Sequence, residues 1–208
     1  MRNTLVLMAI FFIATQTFAL VDMKNANYSD TWTDLIATGT GYDLRVQRTY
    51  NSRTLFNGMF GFGWCSDFET TLEVNAEGNI KVTECGGGLE ITFKPKGFSE
   101  KEVDKTITKI VKEVKKRNPS LTQSYLTGLQ SELKSRPFFR EELTRQLGFT
   151  GKIANGKTYF AQGRQDENIV FKNGVYTRNL PDKTSQQFSK EGQLISLFDK
   201  NGNYLKLT

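Results

Sequence analysis

The chain contains no histidine and only two cysteines in 208 residues. Without histidine there are no Ser-His or Cys-His nucleophilic pairs and no imidazole metal ligands. Two thiols cannot build a four-thiolate zinc site. Phosphate-binding loops are also missing. Gly86-Gly87-Gly88 precedes a strand pattern and lacks the Lys-Ser/Thr that would follow in such a loop, and no helix pattern follows Gly61-Phe62-Gly63-Trp64. The pair Glu141-Glu142 falls on a polar helix face, where solvated carboxylates are the simplest reading. The sequence therefore assigns no catalytic residue, no metal ligand and no cofactor, and the chain is expected not to be an enzyme.

A long apolar run is missing too. Leu5 to Ile13 is unbroken but shorter than the roughly 20 residues a membrane-spanning helix needs. Arg2 before it, and Thr17-Phe18-Ala19 after it, complete the pattern of a signal peptide over residues 1–19. Export is expected, placing the mature chain outside the cell, in a periplasm or at a cell surface. Loss of Arg2 would take the formal charge from +6 to +5. In such a compartment the pair Cys65 and Cys85 is a candidate disulfide. If the flanking strands pair about Glu77, Cys85 faces Glu69, so a bond needs the chain to fold back between Trp64 and Asp67. Free buried thiols are the alternative.

The remaining chain reads as mainly β, an antiparallel strip of short hairpin-connected strands with an inserted helical hairpin, α+β overall. Three segments follow the leader: a β module over 20–98, a helical insertion over 99–148 and a β strip over 149–208. Val21 to Tyr42 has weak periodicity. Tyr42, Leu44, Val46 and Tyr50 then alternate with polar residues, as in a half-buried strand. Arg48 falls on the apolar face and is expected to be paired. Phe68 to Val74, Ile80 to Val82 and Leu89 to Phe93 continue as a meander. Asn155-Gly156, Asn173-Gly174 and Asn201-Gly202 read as hairpin dipeptides.

Between Ser99 and Leu147 the period becomes helical. Ser99 and Glu102 suggest a capping box. Asn118-Pro119 ends the first helix, and Pro137 starts the third. This segment carries eleven Lys or Arg against seven Asp or Glu. Its basic face suits a surface or delivery partner, although a solvated outer face explains it as well. No nucleic-acid partner is assigned.

Two motifs resemble a known family. Arg48-Thr-Tyr50-Asn51-Ser52-Arg53, followed by Gly58-Met-Phe-Gly61-Phe-Gly63-Trp64, resembles the module that precedes the repeats in Rhs/YD-repeat proteins. Phe188, Gly192, Leu194, Asp199, Gly202 and Asn203 match the spacing of the repeat unit itself. The resemblance covers about 40–98 and 150–208 and leaves out the helices. It implies the amino-terminal part of a β shell that would enclose or present a C-terminal toxin or other effector. The partner at the last strand would be the remainder of that shell or a second chain. The other reading is a free-standing glycan- or peptide-binding module that uses Phe56, Phe60, Phe62 and Trp64 as a platform. A carboxylate hydrolase is the third.

Overall fold

The structure, a computed structural model, describes residues 20–22, 26–85 and 88–208. The candidate signal peptide lies outside these residues, as do Gly86 and Gly87. The fold is mainly β, with fifteen strands in the described residues and three helices between the ninth and tenth strands.

The strands are β1 Leu20–Asp22, β2 Asn27–Ala37, β3 Leu44–Asn51, β4 Asn57–Gly58, β5 Gly61–Phe62, β6 Trp64–Ser66, β7 Thr71–Val74, β8 Ile80–Thr83, β9 Glu90–Pro95, β10 Thr158–Ala161, β11 Arg164–Lys172, β12 Val175–Asn179, β13 Ser185–Phe188, β14 Leu194–Phe198 and β15 Tyr204–Lys206. The helices are α1 Glu100–Arg117, α2 Gln123–Ser135 and α3 Pro137–Gln146.

Strands β7 to β15 form one antiparallel sheet in chain order. The helices interrupt this meander between two neighbours, because β9 and β10 pair directly, with Tyr159 opposite Pro95. The helical segment is thus an elaborated hairpin loop. Each strand sends alternate residues to one face. Ile80 and Val82, Ile91 and Phe93, and Tyr159 and Ala161 meet Leu72, Ile169, Tyr176, Phe188 and Leu194 in one buried cluster. The sheet curls around that cluster until β7 meets the loop between β13 and β14. The Leu72 amide donates to the Gly192 carbonyl at 2.9 Å, and Thr71 bridges Gln193. The interior is filled with side chains, and β15 continues past the closure as an edge strand.

One turn recurs along this strip. Residues 75–79, 180–184, 189–193 and 199–203 each close a five-residue loop in which the first and fifth residues bond through their backbones. The fourth residue donates to the first carbonyl and has positive φ: Gly78 at 77°, Lys183 at 68°, Gly192 at 86° and Gly202 at 85°. This is the three-residue hairpin loop with a left-handed fourth position. In three of the four, the first side chain secures the loop. Asn75 Oδ1, Ser189 Oγ and Asp199 Oδ1 each accept from two amides further along. Asn201-Gly202 therefore belongs to a longer loop than its dipeptide suggests, whereas Asn173 and Gly174, both at positive φ, join β11 to β12 directly. Asn155-Gly156 turns the chain into β10 and joins no hairpin.

The helices have their own core of Val103, Ile107, Ile110, Leu129 and Leu133, edged by Phe139, Leu143 and Leu147. Ser99 makes no side-chain cap, and Glu102 pairs with Lys105 instead. The contact with the sheet is polar. Arg140 bonds Glu77 at 2.6 Å and the Leu133 carbonyl at 2.7 Å. Lys81, with only 7% of its side chain exposed, reaches Glu73 at 2.8 Å, Glu141 at 2.9 Å and Glu90 at 3.5 Å. Clefts of about 600 and 780 Å³ flank this seam. Beneath it, Asn79 Oδ1 is buried and has no hydrogen-bond partner among the described residues.

The smaller sheet runs β1-β2-β3-β6. Its long strand β2 was not visible as a strand in the sequence. A bulge between Thr33 and Leu35 breaks the alternation, and every residue from Thr31 to Ala37 is exposed, so no apolar face marks it. Phe68 and Glu69, expected to begin a strand, instead lie in a 3-10 turn, Asp67–Glu69, that folds the chain back.

Candidate functional site

The sequence motif Arg48 to Trp64 lies where the small sheet meets its glycine loop. Register decides which side chains share a face: Trp32 lies opposite Arg48, which lies opposite Ser66, and Asp30 lies opposite Tyr50, which lies opposite Trp64. Aromatic rings pack against one another across these strands, tilted by 52° to 53°. Trp64 is 5.1 Å from Trp32 and 5.2 Å from Tyr50, and Tyr50 is 6.0 Å from Tyr28. The Arg48 guanidinium sits 4.6 Å over Trp64 and ion-pairs with Asp34 at 2.8 Å. The pairing expected for a cation on the apolar face is thus supplied by a ring and a carboxylate, the usual way to hold such a group.

The other motif residues hold the loop. Asn51 donates its amide to the Gly63 carbonyl at 2.8 Å, and its Oδ1 accepts from Arg53. Ser52 Oγ accepts from the Tyr28 amide at 2.9 Å, tying the end of β3 to β2. Gly61 and Gly63 have φ of 92° and 80°, and a Cβ on Gly63 would stand 2.8 Å from the Tyr50 ring. Glu69 gathers the turn, accepting from the Met59 amide at 2.6 Å and the Ser66 amide at 2.9 Å. That fold-back brings Cys65 to Cys85, and the two form a disulfide with Cα atoms 5.1 Å apart. The bond joins the small sheet to the end of β8.

The proposed platform is divided. Phe62 is exposed, Phe56, Phe60 and Trp64 are half-buried, and among the described residues no ring stacking joins the three phenylalanines to Trp64. Trp64 instead shares its surface with Trp32, Tyr50 and Tyr28. Sequence reasoning missed Trp32 and Tyr28. The alternation of Tyr28, Asp30 and Trp32 was the available signal, lost in a segment with little else apolar. Beyond them β2 exposes Leu35 and Ile36, and among the described residues its outer edge past Ser29 is unpaired.

A second cluster lies inside the large sheet. Arg178 and Glu167 are each about 1% exposed. Arg178 bonds Glu167 at 2.7 Å, Gln186 at 3.0 Å and Glu84 at 2.5 Å, and Arg164 reaches the other Glu167 oxygen at 2.9 Å. Every member is paired, which suits a structural tie between distant strands. Near the base of the small sheet, partial burial pushes the Tyr42 hydroxyl above its ordinary range, with Asp199 and Asp67 adding to the effect. Desolvation by neighbouring groups likewise raises the Asp67 carboxyl, although the residue remains exposed; Arg45 opposes the shift and Glu84 assists it. No three cysteine or carboxylate side chains converge as a metal site would require among the described residues.

Residues 19–93 match the family described as a domain of unknown function, DUF6531. The match takes in the small sheet, the glycine loop, the disulfide and the large sheet as far as Phe93. It ends before the helices and covers less than half of the chain. No curated protein matches this chain.

Proposed function

We propose that the chain is an exported, non-enzymatic structural module, the amino-terminal part of an Rhs/YD-repeat-like shell that encloses or presents a C-terminal effector. The observation that carries this reading is the geometry of Phe188 to Asn203. Phe188 and Leu194 fill the core, Gly192 makes the closing contact with Leu72, and Asp199 secures the turn that Gly202 and Asn203 complete. Each repeat-motif residue has an architectural task, and among the described residues the outer edge of β15 is unpaired and can accept another strand. The Arg48–Trp64 motif lies within the DUF6531 match, and a disulfide fits an oxidising compartment. The helices form a separate unit inserted between two paired strands.

The test is to append further copies of Phe188–Asn203 after Thr208 and follow amide exchange in β15. Protection of Tyr204–Lys206, together with a single cooperative melt, is expected. Appended copies that stay unfolded while β15 exchanges as before would overturn the reading.

A second reading, a secreted glycan- or peptide-binding module, draws on one observation: Trp32, 38% exposed, stands beside the Arg48–Asp34 pair. Trp32→Ala and Phe62→Ala would then remove ligand binding in a glycan and peptide panel without lowering the melting temperature.

A further inference from the structure

Five of the six lysines of helix α1, Lys101, Lys105, Lys109, Lys112 and Lys116, lie on one side and are all exposed; the sixth, Lys115, donates to the Pro119 and Leu121 carbonyls. At 3.6 residues per turn the five fall within an arc of about 80° and run for about 22 Å along the axis. The centre of that arc lies opposite the buried stripe of Val103, Ile107 and Ile110. The lysines therefore form the outermost ridge of the helical unit. The acidic residues of α1 stand aside, and three of the four are engaged: Glu102 pairs with Lys105, Asp104 with Lys134 and Glu113 with Arg117. Among the described residues, Lys101, Lys109, Lys112 and Lys116 have no ion-pair partner.

This arrangement opposes helix stability. Like charges repeat at three- and four-residue spacing, which is unfavourable. The helix dipole favours Lys116 in the last turn but disfavours Lys101 in the first. A solvated face would be served as well by mixed charges. The ridge has no arginine for bidentate phosphate contacts, no aromatic ring for base stacking and no concave wall, all of which nucleic-acid sites use. A straight, convex line of ammonium groups meets a plane along its whole length. Lysine is suited to attraction by a charged surface without desolvation.

We infer that the α1 ridge docks the protein on an anionic lipid surface, as a peripheral and salt-sensitive contact. This inference does not depend on the shell reading. No helix among the described residues is long and apolar enough to cross a membrane, and the ridge itself offers no apolar anchor.

The test is co-sedimentation of the full chain with phosphatidylcholine vesicles, with and without about 30 mol % phosphatidylglycerol. At low salt the anionic vesicles should bind at least roughly tenfold better, and about 0.5 M salt should abolish the difference. The quadruple variant Lys101→Gln, Lys109→Gln, Lys112→Gln, Lys116→Gln should lose the preference, whereas the matching four Lys→Arg changes should keep it. Circular dichroism should show unchanged helix content in both variants. Equal binding to the two vesicle types would overturn the inference, as would full binding by the glutamine variant. Tighter binding to a single-stranded oligonucleotide than to anionic vesicles would overturn the lipid assignment.

Discussion

The carbonyl oxygen of Leu72 occupies the place where a side chain on Gly192 would begin. A Cβ built there would lie 1.7 Å from that oxygen, and the Leu72 amide donates to the Gly192 carbonyl. This contact between β7 and the loop before β14 closes the curled sheet. Gly192→Ala should therefore open the seam as well as strain the backbone, and cost more than about 2 kcal/mol. Gly202→Ala is the control. Its φ is 85°, but nothing lies within 4 Å of the added carbon, so only the strain of about 1 kcal/mol is expected. Urea melts of the two variants measure the difference, and equal losses would show that the closure contributes nothing.

The disulfide joins the small sheet to the large one across 20 residues. Cys65→Ser with Cys85→Ser should lower stability by about 3 kcal/mol, and reductant should do the same to the native chain. The melt in reductant is the check. No response would mean that the two sheets are held by packing alone.

Arg178 should be the costliest single polar loss. Arg178→Met leaves Glu167 buried with only Arg164 nearby and should cost about 3–5 kcal/mol. Adding Glu167→Gln should return part of that loss, because the uncompensated carboxylate is gone. A double-mutant cycle reads the coupling. Additive losses would argue against a tie.

Docking of the helices should depend on pH. Partial burial pushes the Glu73 carboxyl up, but Lys81 and Arg145 outweigh it and hold the group below its ordinary range. A carboxyl lowered by folding contributes stability above its unfolded pKa and loses it as pH falls through the folded one. Lys81 behaves oppositely. Burial pulls its ammonium down, while Glu73 and Glu141 raise it above its ordinary value. Its contribution is present below the unfolded pKa and fades as pH rises through the folded one. The seam should hold from mildly acidic to mildly alkaline solution and loosen outside it, first on the side of strong acid, and sooner at high salt. Amide exchange in residues 75–81 and in α3 reports it. Protection in these residues that stays unchanged from neutral solution into strong acid would contradict the prediction.

Lys183 is the left-handed residue in a loop whose counterparts all carry glycine. Lys183→Gly should raise stability by about 0.5–1 kcal/mol. Thermal melts suffice, and a destabilised variant would mean that the lysine has a compensating contact.

The large sheet was legible because its strands bury one face, so Ile80, Val82, Ile91 and Phe93 announce themselves by alternation. The helices were legible through Val103, Ile107 and Ile110 at helical spacing. The long β2 strand was not, since both its faces meet solvent and a bulge shifts its period. The packing of Trp32 against Trp64 followed from register between strands that the sequence did not reveal as partners. The motif residues were found, but their tasks were not. That Gly192 closes the sheet on Leu72 depends on curvature accumulated over the whole meander, and no local pattern encodes it. The seam of Lys81, Glu77 and Arg140 likewise joins residues far apart in the chain.

The proposed shell reading requires that the outer edge of β15 pair with a further strand. The most direct measurement is the intact mass of the native gene product captured with antibodies to this chain, with amide exchange at Tyr204–Lys206. The account predicts a product well above 23.6 kDa in which those amides are protected by a further strand. A stable monomer no larger than 23.6 kDa, with those amides exchanging freely, would contradict it.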